Sequence, residues 1–216
     1  QFDFELPKQL LAEYPSEDRD EARLMVLNRK ENTIEHKKFK DLIDYFEPED
    51  VMVLNNTRVF PARLYGKRSD NGLPIELLLL EQISPGIWKT LVKPGKRMRN
   101  GAHFEIIGQN HSLEGEVLDV DRDGSRIVKI EGQEFLYEIG VIPLPPYIRE
   151  SLEDSDRYQT VYSSALGSVA APTAGLHFTD ELLREISAMG VQIVFVTLHV
   201  GWDSFRPVDS EDPREH

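Results

Sequence analysis

Two histidines of this sequence lie where side chains often contact ligands, one after a loop of small residues and one after an apolar run. His177 lies in SVAAPTAGLHFT, residues 168–179, which contains one proline and one glycine ahead of a helical pattern. His199 follows VQIVFVTL, residues 191–198. An imidazole changes charge near neutral pH and can act as a general acid or base. Each histidine alone is typical of a residue bonded to the local backbone, but the two on one rim would favour a ligand site.

The predicted elements around these histidines bring both to one edge of a sheet. Residues 168–171 are typical of a strand end, and residues 191–198 of a strand buried on both faces. Because parallel strands point the same way, His177 and His199 are expected on the same rim, where open α/β folds bind ligands. Asn55, Asn56 and Arg58 follow the apolar segment 51–54 and are expected to share that rim.

The helix predicted after His177 provides a site for an anion. Thr179 is its predicted N-cap, Leu182, Leu183 and Ile186 form its apolar face, and Gly190 ends it. The free N–H groups of a helix N-terminus favour a carboxylate or a phosphate and lower the pKa of a nearby imidazole.

The rest of the chain predicts an α/β protein with an insertion. Residues 23–29, 36–46 and 51–54 have the pattern of a β-α-β unit with parallel strands. Residues 61–147 contain short β-rich runs separated by turn residues, which is typical of a small barrel or sandwich. We therefore predict an α/β domain with a parallel or mixed sheet over 1–60 and 148–216, and an inserted small β-barrel domain over 61–147. The proline-rich segment 143–148 is the predicted exit linker.

Composition excludes several classes of protein. The chain has 216 residues, a net charge of -13 and no cysteine, which argues against a general nucleic-acid coat protein and excludes disulfides and thiolate chemistry. No apolar stretch is long enough to span a membrane, and the polar start does not resemble a signal peptide, so we expect a cytoplasmic protein. One basic segment, VKPGKRMRN, stands out in this acidic chain; it is either a solvated turn or a local phosphate-binding patch.

Sequence motifs exclude further classes. The chain lacks HExxH, a GxGxxG after a strand, GxxxxGK[ST] and GxSxG. A Rossmann cofactor enzyme, a P-loop NTPase and an esterase of the usual type are therefore disfavoured. The histidine pair has no third ligand at suitable spacing, so we expect no metal site.

Five segments of the sequence match one known family in the same order. They are LNNTRVFPARLYG, LVKPGKRM, PLPPYI, RYQTVYSSALGSVAAPTAGLHFTDELL and VTLHVGWDSFRPV. Together they resemble the S-adenosylmethionine:tRNA ribosyltransferase-isomerase family of queuosine biosynthesis. The resemblance implies an enzyme that transfers and isomerises the ribosyl part of S-adenosylmethionine onto 7-aminomethyl-7-deazaguanine at the tRNA wobble position. The products are epoxyqueuosine, adenine and methionine. It also implies S-adenosylmethionine as co-substrate, no permanently bound cofactor, an α/β domain with an inserted barrel, and a monomer.

The implied reaction gives roles to particular residues. His177 and His199 are the candidates for the base that removes the proton beside the sulfonium and for the acid that assists adenine departure, without a choice between them. The candidate substrate-binding residues are Asn55, Asn56, Thr57, Arg58, Arg63, Pro172, Thr173, Ala174, Gly175, Phe178, Gly201, Phe205 and Arg206. The candidate tRNA-binding residues are Lys93, Lys96, Arg97 and Arg99. Arg63 and Arg206 are equally typical of ion pairs between domains, and Phe178 of a core residue.

The sequence departs from the family pattern in two places. Residues 201–205 are GWDSF, where the family commonly has Gly-Leu-Gly-Thr-Phe, which changes the flexibility and charge of that loop. Family members also usually continue well beyond the position of His216, so we expect the α/β domain to continue there. Two alternatives stay open on these grounds: a non-catalytic tRNA-binding or regulatory homologue, and an enzyme acting on another nucleoside or sulfonium substrate.

Overall fold

The computed structural model describes residues 4–12, 14–144, 154–201, 204 and 212. These residues form two compact units, which are described separately. The first unit takes the described residues of Gln1–Arg58, Leu144–Ala165 and Ala171–Leu198. The second takes those of Val59–Pro143, Leu166–Ala170 and His199–His216.

The described residues form strands, short 3-10 helices and two α-helices. The strands are β1 (Arg23–Asn28), β2 (Thr33–Lys38), β3 (Val51–Asn55), β4 (Thr57–Val59), β5 (Arg63–Arg68), β6 (Pro74–Ser84), β7 (Ile87–Lys93), β8 (His103–Ile107), β9 (Ser112–Val120), β10 (Arg126–Ile130), β11 (Ala165–Ser168) and β12 (Gln192–Val196). The α-helices are α1 (Leu136–Ile139) and α2 (Asp180–Ala188). The 3-10 helices are Lys8–Leu10, Arg19–Glu21, Phe39–Tyr45, Gly95–Arg97, Gln133–Phe135, Ser155–Tyr158 and Thr173–His177. None of the described helices is long and apolar enough to cross a membrane.

The second unit contains a closed antiparallel barrel. Its strands follow the order β10-β7-β6-β5-β8-β9. Alternate side chains point inward, so that Leu64, Leu77, Phe104, Val117 and Val128 fill the interior. The prediction of an inserted small β-barrel is confirmed. The turn residues between the short strands let each strand pair with its neighbours.

The first unit contains a parallel pair of strands covered by a helix. β3 and β12 pair in register from Val51 opposite Gln192 to Asn55 opposite Val196. The helix α2 begins where the Thr179 hydroxyl accepts a hydrogen bond from the Leu182 N–H, as its N-cap position predicts. Its buried face packs with Phe39, Met52 and Leu54 in one core. The predicted α/β fold class with a parallel sheet is therefore confirmed.

The β-α-β unit predicted near the N-terminus is wrong. β1 and β2 form an antiparallel hairpin instead, and residues 36–38 belong to β2. The Asn28 Oδ1 accepts hydrogen bonds from the N–H groups of Lys30 and Glu31, which closes a turn and sends the chain back along β1. The apolar spacing that predicts a helix over 36–46 is satisfied by the shorter 3-10 helix Phe39–Tyr45.

The strand predicted to be buried on both faces, β12, contains no fully buried residue, and only Ile193 and Val194 are half-buried. Met52 and Leu54 of β3 are buried, whereas Val51 and Val53 between them are exposed. Phe195 and Val196 of β12 are exposed as well. The prediction that two layers cover β12, which rests on its continuous apolar run, is therefore wrong for the described residues. Both α2 and the 3-10 helix Phe39–Tyr45 pack on a single side of the sheet.

Candidate active site

The two candidate histidines belong to different units. His177 ends the 3-10 helix Thr173–His177 of the first unit, whereas His199 follows β12 and belongs to the second. Among the described strands, β11 pairs with β4 and not with the β3–β12 sheet. The Asn56 carbonyl begins this pairing by accepting hydrogen bonds from the N–H groups of Ser164 and Ala165. The strands β11 and β12, expected in one sheet, therefore lie in two different sheets. A common rim for His177 and His199 stays a prediction.

His177 lines a mostly apolar cavity of about 320 Å³ in the first unit, which we call the His177 pocket. Three basic side chains share its wall with the imidazole: Arg19, Arg23 and Arg157. The Arg157 guanidinium donates to the Ser16 carbonyl, which also lines the pocket. Positive charge therefore surrounds a cavity large enough for a small ligand.

The surroundings of His177 favour its uncharged form. Burial lowers the pKa of His177, and the positive charges of Arg19 and Arg157 lower it further, while a hydrogen bond with the Arg19 backbone acts in the opposite direction. A neutral imidazole has a free nitrogen lone pair. At neutral pH His177 is therefore suited to accept a proton.

Arg19 holds His177 in place through the backbone. Its Nη1 donates to the Leu176 carbonyl at 2.8 Å and its Nη2 to the Asp156 carbonyl at 2.7 Å. One guanidinium thus joins the segment before His177 to the segment before Arg157. The Phe39 ring, at the start of the 3-10 helix Phe39–Tyr45, packs against the imidazole with ring centroids 5.2 Å apart.

Gly175 lets the 3-10 helix before His177 approach a neighbouring side chain closely. A Cβ on this buried glycine would lie 2.1 Å from the Tyr162 hydroxyl and 3.0 Å from Thr160 Cγ2. The sequence predicts that Gly175 gives a ligand access to the backbone. In the structure the same space is occupied by the Tyr162 hydroxyl.

We expect Gly175→Ala to lower the free energy of unfolding by about 1–3 kcal/mol, the usual cost of overpacking. Tyr162→Phe removes the hydroxyl that the new Cβ would meet. The double variant should therefore be more stable than the sum of the two single effects allows, which a double-mutant cycle in urea measures. Strictly additive losses would show that the contact with Tyr162 is not the reason for glycine at this position.

The amides of Asn55 and Asn56 connect strand ends of the first unit. Asn55 Nδ2 donates to the Leu198 carbonyl at 2.9 Å, and Asn55 Oδ1 accepts from the Leu198 N–H at 3.0 Å. Thr197 Oγ1 donates to Asn56 Oδ1 at 2.7 Å. Thr57 is buried, and its hydroxyl lies 3.5 Å from the Ala165 carbonyl. These three predicted ligand-binding residues therefore hold together the ends of β3, β12 and β11.

Two of the three predicted arginines, Arg58 and Arg63, form ion pairs within their own units. Arg58 contacts Asp156 and Ser163, both at 3.0 Å, within the first unit. Arg63 Nε lies 3.3 Å from a Glu76 carboxylate oxygen, and both residues belong to the barrel. For Arg63 the ion-pair alternative is thus the one that the structure contains, within one unit and not between two.

Phe178 is a core residue, which is the alternative to a ligand-binding role. It is buried in the core of the first unit, where its ring packs edge-on against Phe39 at a centroid distance of 5.0 Å. Pro172, Thr173 and Ala174 lie in or directly before the 3-10 helix that leads to His177. Gly201 is exposed, and no described atom lies within 4 Å of the position that a Cβ would take. Phe205, Arg206 and most of the 143–148 linker lie outside the described residues.

His199 lies against β11 within the second unit. A Cβ on Gly167 would be 2.8 Å from the His199 ring, and Gly167 has a φ of 148°. Val200, the residue after His199, is held by Ser168. The buried Ser168 hydroxyl accepts a hydrogen bond from the Val200 N–H at 2.8 Å. The absence of a side chain at Gly167 therefore lets the imidazole lie directly on the β11 backbone.

The basic segment forms a rigid turn beside a second cavity, of about 390 Å³. Lys96, Arg97 and Arg99 line this cavity together with Arg68; we call these four residues the basic turn. Lys93 lies just before it, exposed at the end of β7. Three of the four predicted tRNA-binding residues are thus brought together around one open cavity.

Two contacts fix the backbone of the basic turn. Arg126 donates to the carbonyls of Met98 and Gly95, at 3.1 and 2.6 Å. Met98 is fully buried in the barrel core and anchors the turn between exposed basic residues. Basic side chains on a fixed backbone are suited to contact phosphates.

Sequence reasoning did not find Arg19 and Arg157. Arg19 lies 158 positions before His177, and only the folded chain brings it to the Leu176 carbonyl. Both arginines occur in charged segments that are typical of solvated surface. Within the described residues, no group of three or more His, Cys, Asp or Glu side chains is arranged to hold a metal ion.

Comparison with known proteins identifies the family. A family model described as "Queuosine biosynthesis protein" matches residues 1–216. The chain therefore belongs to the queuosine biosynthesis protein family.

Relatives with curated names are similar over the whole chain. The S-adenosylmethionine:tRNA ribosyltransferase-isomerase of Clostridioides difficile (strain 630) is 53% identical over 219 residues, covering 100% of this chain and 64% of that protein. The protein of the same name from Staphylococcus haemolyticus (strain JCSC1435) is 50% identical over 220 residues, with the same coverage of 100% and 64%. The crystal structure of S-adenosylmethionine tRNA ribosyltransferase from Thermotoga maritima is 39% identical, covering 93% of this chain and 58% of that one with a TM-score of 0.38. The chain thus spans just under two thirds of the length of its curated relatives.

Proposed function

We propose that the full-length protein transfers the ribosyl part of S-adenosylmethionine to 7-aminomethyl-7-deazaguanine at the tRNA wobble position and isomerises it. The products are epoxyqueuosine in tRNA, adenine and methionine. The observation that carries the proposal is the His177 pocket, where an imidazole with a lowered pKa shares a cavity with guanidinium groups. Membership of a family whose relatives are named S-adenosylmethionine:tRNA ribosyltransferase-isomerase supports it further.

His177 is the proposed base. The carbon beside a sulfonium carries an acidic proton, and removing it requires a group that is unprotonated at neutral pH. Burial and two neighbouring cations keep His177 in that form. His199 is the proposed acid that assists adenine departure, which is the remaining role for an imidazole in this reaction.

The guanidinium of Arg157 is the proposed partner of the methionyl carboxylate of S-adenosylmethionine. It carries five N–H donors, more than the Ser16 carbonyl can accept. A carboxylate bound there would compensate the positive charge around the pocket. Arg19 is a positioning residue, since both its terminal nitrogens already donate to backbone carbonyls.

The proposed macromolecular partner is tRNA carrying the deazaguanine precursor. The basic turn places Lys96, Arg97 and Arg99 around one cavity beside Arg68, which is paired with Asp70 at 2.6 Å, in a chain of net charge -13. Lys93 and the basic turn would then contact phosphates of the anticodon stem and fix its orientation. We propose a cytoplasmic protein, since a chain without cysteine suits a reducing compartment that contains tRNA. The monomer that we propose rests on the family resemblance alone.

The test incubates the full-length protein with S-adenosylmethionine and tRNA carrying 7-aminomethyl-7-deazaguanine. We expect release of adenine and formation of epoxyqueuosine, both measured by chromatography with mass spectrometry. The control is the same tRNA with guanine at the wobble position, which should give neither product. Tight tRNA binding without adenine would favour the regulatory alternative, and adenine release with the guanine control would favour another nucleoside substrate.

A further inference from the structure

A cavity of about 320 Å³ lies in the second unit, between the barrel, α1 and β11. Aromatic side chains from three segments, Phe60, Trp88 and Tyr137, share its wall with the polar side chains of Glu81 and Gln82. Sequence reasoning assigned none of these five residues to a site. We call this cavity the aromatic pocket.

The strand that carries the polar groups is irregular at this place. Pairing of β6 with β7 shifts register between Leu79 and Glu81 and again between Gln82 and Ser84. Such irregularities redirect side chains and often occur beside active sites. Both Glu81 and Gln82 line the cavity, although consecutive residues of a regular strand point to opposite faces.

Glu81 and Gln82 present a defined set of hydrogen-bonding groups. Gln82 Nε2 donates to Gln133 Oε1 at 2.9 Å, which orients the amide. Gln133 Oε1 is itself fixed by the Gly86 N–H at 2.6 Å. Glu81 is exposed. The cavity therefore offers two carboxylate acceptors next to an oriented amide.

Of the three aromatic residues, Tyr137 is the one accessible to a planar ring, because Phe60 and Trp88 belong to the barrel core. Phe60 and Trp88 are 5% and 7% exposed, and their ring centroids lie 6.1 Å apart with an interplanar angle of 30°. Trp88 Nε1 is buried without a hydrogen-bond partner among the described residues, which is uncommon for an indole. Tyr137 is 53% exposed and can stack on a ligand.

One candidate acid–base residue lies behind this wall. Gly167 lines the aromatic pocket, and the His199 ring occupies the space beside its Cα, 2.8 Å from the position of a Cβ. Both residues belong to the second unit. A ligand in the pocket would therefore bind next to the backbone that supports His199.

We propose that the aromatic pocket binds the deazaguanine base of the substrate tRNA after it has left the base stack. Enzymes that act on a base usually extrude it, stack it on aromatic side chains and recognise its Watson–Crick edge. A guanine-type edge has two neighbouring N–H donors, the ring N–H and the 2-amino group, which match the two oxygens of Glu81. Its ring carbonyl matches an N–H of Gln82. An adenine edge has one donor beside an acceptor and would leave a carboxylate oxygen without a partner.

The inference rests on the proposed function for the identity of the base, and its test measures binding separately from catalysis. The probe is the free base 7-aminomethyl-7-deazaguanine, titrated calorimetrically into the full-length protein without tRNA or S-adenosylmethionine. We expect Glu81→Gln to bind the probe about ten- to a hundredfold more weakly, as for loss of a charged hydrogen-bond acceptor. Glu114→Gln on β9 is the matched control, since it removes the same charge from an exposed barrel residue outside the pocket and should bind normally.

The kinetic arm uses the tRNA substrate. Glu81→Gln should raise KM for tRNA by about the same factor while leaving KM for S-adenosylmethionine unchanged. Thermal denaturation checks that the variant is folded, and Glu81→Asp, which keeps the charge, should recover part of the affinity. Equal probe affinities for the wild type and Glu81→Gln, or no binding of the probe to the wild type, would overturn the inference. Probe binding that depends on Glu81 in a protein that releases no adenine would retain the pocket and refute the proposed function.

Discussion

Replacing His177 with glutamine in the full-length protein should lower the rate of adenine release by about 10²–10⁴-fold, the usual contribution of a general base. Glutamine keeps hydrogen-bonding capacity and similar size but cannot accept a proton at neutral pH. The fall should appear in kcat, because the contribution of the base is made in the transition state. Adenine release at saturating S-adenosylmethionine and tRNA measures it.

The pH dependence distinguishes a base from a structural residue. Because burial and the charges of Arg19 and Arg157 lower the pKa of His177, the base form persists to lower pH than for an ordinary histidine, whose pKa is about 6.5. The acid limb of kcat/KM for the wild type should therefore lie below about pH 6.5. Arg157→Gln removes one of the two charges and should move this limb to higher pH.

The control for His177 is His36→Gln, an exposed histidine on β2 of the same unit. It should retain wild-type rates. If His177→Gln and His36→Gln both released adenine at the wild-type rate, His177 would have no part in the chemistry. If His177→Gln were slow but kept an unchanged acid limb, the imidazole would act by positioning and another group would be the base.

The predictable parts of this fold are those whose signals are local. The barrel follows from short strands separated by turn residues, and α2 follows from a cap, an apolar face and a terminal glycine with a φ of 97°. The β1–β2 hairpin was not predictable in this way. Its turn depends on the Asn28 side chain, and the helical spacing that follows is used by a 3-10 helix of seven residues.

The sequence could indicate only those candidate site residues whose type and local sequence are distinctive. His177 stands out because imidazoles are few and its loop is unusual. Arg19 and Arg157 do not stand out, since their position depends on hydrogen bonds to Leu176 and Ser16 across the chain. Asn55 has the type and the place of a ligand-binding residue, yet its amide is used to join β3 to the segment after β12. Residue type therefore indicates capacity, and long-range contacts decide its use.

Removing the three lysine and arginine charges at 96, 97 and 99 should weaken tRNA binding by at least about tenfold at low salt. The variant is Lys96→Ala/Arg97→Ala/Arg99→Ala, and binding is measured by fluorescence anisotropy over a series of salt concentrations. Each lost phosphate contact removes about 0.7–0.9 from the magnitude of the slope of log K against log salt concentration. Three contacts should therefore reduce the slope by about 2–3. The backbone should keep its conformation, because Arg126 and the buried Met98 hold it and both are retained.

The slope separates a binding surface from a general effect of charge. Lys129→Ala is the control, since it removes a cation from β10 of the same barrel that is already paired with Glu131 at 2.9 Å. On a chain of net charge -13, any lost cation increases long-range repulsion, so the control should bind slightly more weakly with nearly the same slope. A triple variant whose slope matched that of Lys129→Ala would show that tRNA contacts another surface. A clearly smaller slope in the triple variant alone would mean that phosphates are bound at the basic turn, since only direct contacts release the counterions that the slope counts.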